Sequence, residues 1–146
     1  MQKEDVMTRF RTVSLAVGSS FLVLALLSAA RSPAQTSGFA AKPMLHSTVE
    51  GDATKEATML AITIAPGGSS GRHTHPGDCY GTVVEGTVEL RLEGQEPRRV
   101  SAGEAWHNPR GAVHELRNSG DRPVRVVNTL LVDKGKPRMQ PAPQPQ

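Results

Sequence analysis

The chain has 146 residues, with 17 lysines and arginines against 14 aspartates and glutamates, and one cysteine. That length suits one domain with short extensions, and a single cysteine excludes both an internal disulfide framework and a four-cysteine zinc site. Three phenylalanines, one tyrosine and one tryptophan are too few for a base-stacking platform, so no nucleic-acid partner is expected.

Residues 1–34 read as a secretory signal peptide. Arg9 and Arg11 provide a basic start, residues 15–27 an apolar stretch, and Ser32-Pro33-Ala34 small side chains for cleavage after Ala34. The alternative is an uncleaved anchor: the apolar run over 13–30 is just long enough to span a bilayer, although Gly18, Ser19 and Ser20 weaken it. The expected location is periplasmic or secreted, with no membrane contact after cleavage, or membrane-anchored if the leader is retained. Residues 35–146 carry 13 basic and 12 acidic side chains, so the positive charge belongs mostly to the leader and no basic stripe remains.

Residues 35–43 read as a linker. From there to residue 133 no 3.6-residue apolar period stands out; short alternating runs broken by Gly and Pro predict an all-β domain over 44–133. Strands are expected over 58–65, 80–84, 88–93, 98–100, 104–108, 113–117 and 124–132. The clearest is the third, where Val88, Leu90 and Leu92 face one way and Glu89, Arg91 and Glu93 the other. Turns recurring at intervals of about ten residues suit a sandwich or a small barrel. A core this small is expected to bury leftover apolar surface by forming a homodimer. Residues 134–146, with Pro137, Pro141, Pro143 and Pro145, read as a disordered or extended tail.

His73 and His75 are the first chemical signal. Residues i and i+2 of a strand share a face, so the two imidazoles project together, at a spacing a metal can bridge. They belong to a longer pattern, Gly67-x5-His73-x-His75-x3-Cys79-x6-Gly86, followed by Gly103-x5-Pro109-x-Gly111-x2-His114-x3-Asn118. These blocks resemble, in order and spacing, the two signature motifs of the cupin superfamily. The one departure is Cys79, where the family has glutamate.

The resemblance implies a single-domain double-stranded β-helix, a jelly-roll barrel, with a metal in its mouth. Carried over by position, the ligands would be His73, His75 and His114, the last placed across the barrel from the pair. The ion would be a divalent transition metal: iron, zinc, copper, manganese or nickel. Cys79 is open to three readings: a fourth, thiolate ligand; a thiol beside the site; or a small buried apolar residue.

Several neighbours carry two readings each. His107, beside Trp106, is either a cavity-facing acid/base group or a solvent-facing side chain. Alternation sends Tyr80 to the face opposite Cys79, and Glu115 to the face opposite His114. Arg72 is either a steering group for an anionic ligand or an exposed arginine, and His46 reads as exposed. The expected function is a metal-binding protein with a small-molecule ligand, either a dioxygenase-like oxidoreductase or isomerase, or a non-catalytic binding or sensing barrel. No G-x-S-x-G elbow or phosphate loop competes with these.

Overall fold

The computed structural model describes residues 38–143, which are all-β. The expected signal peptide over 1–34 lies outside the described residues. Ten strands form two antiparallel sheets: β1 (Phe39–Val49), β2 (Asp52–Ile64), β3 (His73–Thr74), β4 (Gly77–Glu85), β5 (Thr87–Leu92), β6 (Arg98–Ser101), β7 (Ala105–Asn108), β8 (His114–Arg117), β9 (Val124–Asp133) and β10 (Gln140–Pro141). The first sheet runs β1-β2-β9-β4-β7 and the second β10-β3-β8-β5-β6.

The alternating runs define the core. On β9, Val124, Val126, Asn128, Leu130 and Val132 are buried while the residues between them are not. Ile62, Ile64, Val83, Val88, Leu90, Val100, Trp106 and Leu116 pack with the upper part of that stripe. Cys79, Leu130 and Val132 form a second, smaller cluster. Burial of aliphatic faces from both sheets is the main force holding them together.

Two segments depart from expectation. Of the stretch read as a linker, Phe39 to Pro43 instead belong to the start of β1, which pairs with β2 from Phe39 onward. Alternation failed there because β1 is an edge strand, with Met44 and Leu45 half exposed and a register shift between Pro43 and Leu45. Proline is tolerated at such edges and bulges. The described part of the tail read as disordered or extended begins with a turn at Lys134 and Gly135 and contains the short strand β10. Gln140 and Pro141 pair with Thr74 and His73 at the edge of the second sheet.

The motif residues that carry no metal chemistry have structural work. Gly67 and Gly86 turn the chain at φ 72° and 85°. Asn118 is fully buried and donates Nδ2–H bonds to the carbonyls of Ile64 (2.9 Å) and Arg122 (2.8 Å), while its Oδ1 accepts from Gly120 N. It thereby ties the end of β2 to the β8–β9 turn.

Gly81 is required for a different reason. It pairs with Trp106 across β4 and β7, and a Cβ there would sit 2.1 Å from the indole Cζ2. Trp106 is itself buried, so the ring cannot swing away. We expect Gly81→Ala to destabilise the fold by about 2–3 kcal/mol through overpacking, read as a fall in melting temperature of roughly 10 °C or more. An unchanged melting temperature would mean that the indole does not lie over this glycine.

Candidate metal centre

Backbone pairing brings the histidines together. His73 on β3 and His114 on β8 are directly opposed partners in the second sheet. His75 follows two residues after His73, before Pro76, and is buried on the same side. The ring centroids lie 4.9 Å (His73–His75), 4.2 Å (His73–His114) and 5.0 Å (His75–His114) apart. One ring nitrogen of each falls within 4.8 Å of the others, so the group can hold a metal ion. His114 is therefore a neighbour of the pair on the adjacent strand. The expectation that it reaches across the barrel is corrected: β3 and β8 belong to one sheet.

The backbone also sets the protonation of each ring. Nδ1 of His73 bonds the carbonyl of Gly71 (2.9 Å), Nδ1 of His114 that of Ala112 (2.9 Å), and Nδ1 of His75 that of Arg138. A carbonyl only accepts, so each Nδ1 carries the proton and each Nε2 keeps its lone pair. Metal-ligating histidines are held in the same way. His75 Nε2 is buried with no hydrogen-bond partner in the protein. Burial pushes all three imidazoles below their ordinary value: His73 to about 4, His114 to about 3, and His75 downward. For His114 the neighbouring His73 adds to the desolvation. Three neutral, clustered imidazoles with free Nε2 lone pairs form a donor set that suits borderline metals such as zinc, iron, copper or nickel.

Cys79 does not join this group. It sits on β4 in the first sheet, wholly buried, between Asn108 on β7 and Leu130 on β9. Its sulfur lies two bonds closer to the backbone than a glutamate carboxylate would. Burial pushes the thiol up to about 12, so it is protonated, and Sγ accepts from Asn128 Nδ2 at 3.5 Å.

His107 faces outward. Trp106 and Asn108 take the buried positions of β7, so alternation sends His107 to the surface. There it stacks on Tyr80, with centroids 4.8 Å apart, and its Nε2 lies 3.1 Å from Asp78 Oδ1. This corrects the cavity-facing acid/base reading. Tyr80 points away from Cys79, as alternation predicts. His46 is exposed, 3.0 Å from Thr58 Oγ1.

Arg72 anchors the tail. It donates Nε–H to Pro143 O (3.0 Å) and Nη2–H to Glu93 Oε1 (2.6 Å), and its carbonyl accepts from Ala142 N. Glu115 lies away from His114 and accepts the Ser69 hydroxyl.

A cavity of about 220 Å³ adjoins the histidines. His73, His75, Asn128, Leu60, Leu130 and Met139 are among its walls. Residues that pattern reading missed stand out here. Asn128 interrupts the aliphatic stripe of β9, a signal that was available in the alternation itself. Asn108 is buried on β7, opposite Cys79. Arg138 and Met139 lie in a proline-rich stretch that carries no period, so no local pattern could have placed them at the site.

Three comparisons bear on this arrangement. The sequence model of the Cupin_2 family, described as a cupin domain, matches residues 60–132. A cupin-domain-containing oxidoreductase, srdB, of Neurospora crassa is 44% identical over 71 residues, covering 48% of this chain and 36% of that protein. Germin-like protein 5-1 of Oryza sativa subsp. japonica is 32% identical over 78 residues, covering 50% and 35%. The chain thus matches little more than a third of these relatives' length. A conserved protein of Klebsiella pneumoniae with a double-stranded β-helix domain superposes at a TM-score of 0.61, with 19% identity, covering 75% of this chain and 89% of that one. The two sheets described above are accordingly a double-stranded β-helix.

The histidine environment has a consequence for stability. An unfolded chain protonates the imidazoles of His73 and His114 below about pH 6.5, whereas the fold resists their protonation until about pH 3–4. Their contribution is therefore complete above pH 6.5 and is lost progressively as pH falls towards 3–4. Metal-free protein should melt at a lower temperature at pH 5 than at pH 7, and His114→Gln should flatten that slope. Equal slopes for the two proteins would show that His114 is readily protonated in the fold.

Proposed function

The chain belongs to the cupin family, and from that membership we propose that it is a metal-dependent, dioxygenase-like oxidoreductase acting on a small organic molecule. The observation that carries this reading is the set of three buried histidines, clustered within ligand distance of one another, whose Nε2 atoms are left free by Nδ1–H bonds to backbone carbonyls. His73, His75 and His114 would hold the ion through Nε2. A bound transition metal supplies Lewis acidity or redox chemistry with dioxygen.

The rest is done by the chain's own residues. The carbonyls of Gly71, Ala112 and Arg138 keep the imidazoles neutral and oriented. Leu60, Ile62, Leu116 and Leu130 give the adjoining cavity an apolar wall that limits water. The tail segment with Arg138 and Met139 covers one side of it. A non-catalytic barrel would be favoured by a closed four-ligand shell, which needs the Cys79 thiolate. With Cys79 outside the histidine group, an ion held by the three histidines would keep room for substrate. The oxidoreductase name of the Neurospora relative supports the reaction class.

Titration of the full chain with zinc or cobalt(II) tests the ligand set. We expect one ion per chain and a weakening of at least about 100-fold in His73→Ala and in His114→Ala, the loss of one imidazole exceeding the roughly 10–100-fold cost of losing an outer-shell partner. Cys79→Ala should stay within about threefold of the parent. Equal loss in Cys79→Ala would make the sulfur a ligand after all. Oxygen uptake by the iron(II)-loaded protein, with a panel of small hydroxylated organic compounds, tests the reaction. Metal binding without uptake on any of them would leave a binding barrel.

We also propose that the domain is exported, on the basic and apolar character of residues 1–34. The protein recovered from the periplasm or medium should then begin at Gln35, as N-terminal sequencing would show. Recovery only in the membrane fraction with the leader intact would favour the anchor.

A further inference from the structure

The interior of β9 is aliphatic except at one place. Val124, Val126, Leu130 and Val132 are buried, and between them Asn128 is only 5% exposed. A buried amide needs partners for both of its ends. Nδ2 has a weak one, Cys79 Sγ at 3.5 Å; Oδ1 has none in the protein. Asn128 also lines the cavity beside His73 and His75, so a residue with an unpartnered acceptor belongs to the wall of the space a ligand would enter.

The remaining wall defines what fits. Leu60, Ile62, Leu116 and Leu130 are apolar. The one charged residue among the lining positions is Arg138, which is exposed and whose carbonyl serves His75. A volume of about 220 Å³ equals roughly seven waters at ~30 Å³ each, which points to a ligand of about seven to ten non-hydrogen atoms.

The geometry points to Asn128 as a specificity-determining residue that selects a small, mainly apolar molecule carrying a hydroxyl or N–H group, which it binds through Oδ1. Cys79 is a positioning residue in this arrangement. Its sulfur takes the amide Nδ2 and so leaves the oxygen as the free end of the amide. This gives the residue at the glutamate position of the family motif a role that requires no contact with an ion. Sites built to bond a substrate hydroxyl discriminate strongly against analogues that lack it, because the buried partner is then stranded.

The inference rests on the small-molecule reading of the site but not on the metal, so its test is run on the full chain both without metal and saturated with zinc. Phenol and toluene are near-isosteric probes that differ in the donor; anisole carries an acceptor alone. Binding is followed by the methyl NMR signals of Leu60, Ile62 and Leu116. We expect the preference for phenol over toluene to fall at least tenfold in Asn128→Leu, with toluene binding retained. In Cys79→Ala it should fall about threefold, because the amide is free to turn. Melting curves establish that both variants are folded; Asn128→Leu removes a stranded polar group and should not lower stability.

An undiminished preference in Asn128→Leu overturns the proposal, as does anisole binding better than phenol to the parent protein, or methyl signals that no probe shifts. Metal affinity at the histidines is measured on the same samples. Failure of the probe selectivity with metal binding intact would sink this inference alone.

Discussion

Three hydrogen bonds from imidazole Nδ1–H to backbone carbonyls govern the chemistry available to this protein. Gly71, Ala112 and Arg138 supply the acceptors, and each decides which nitrogen of its histidine keeps a lone pair. Without them a buried neutral imidazole could present either tautomer, and the three Nε2 atoms would not be uniformly available as donors. Two of the carbonyls lie two residues before the histidine they serve, so His73 and His114 carry their own orientation within a short stretch of backbone. The third lies 63 residues away from His75 in sequence. Assembly of the centre therefore waits on docking of the C-terminal segment.

That segment links the fold to the site. Pairing of Gln140 and Pro141 with β3, the bond from Ala142 N to Arg72 O, and the Arg72 side chain on Pro143 O hold it against the strand that bears His73. Arg138 and Met139 then complete a wall of the cavity. Proline suits this work: an edge strand needs few donors, and a residue with φ already restricted loses less freedom on ordering.

The interior divides into a dry half and a polar half. Trp106 over Gly81, with the aliphatic side chains around it, forms the dry half and supplies most of the packing. Towards the histidines the lining changes to Cys79, Asn108 and Asn128, and Asn128 Oδ1 has no partner in the protein. Buried unpaired polar groups oppose folding. The indole Nε1 of Trp106 is another such group, and Asn128 places one on a residue that lines the cavity beside the histidines, the pattern of a region shaped for binding at some expense in stability. His107, Asp78 and Tyr80, by contrast, form a separate outer-face arrangement.

Much of this was legible in the amino-acid sequence. Period-2 alternation exposed the all-β class and most strands, because one face of each is buried and the other is not. The spacing of His73 and His75 announced a shared face, since that is a local property of extended backbone. The phase of β7 was ambiguous because Trp106, His107 and Asn108 offer no simple apolar alternation, and packing against Gly81 decided that Trp106 goes inward. An exposed edge strand such as β1 and a proline-rich strap such as β10 carry no burial period, so nothing local revealed them. The sequence by itself determined the strand pattern and the ligand types. Only the tertiary structure decided that His114 neighbours His73, that Arg138 orients His75, and that Asn128 borders the cavity, because these depend on pairings between segments far apart along the chain.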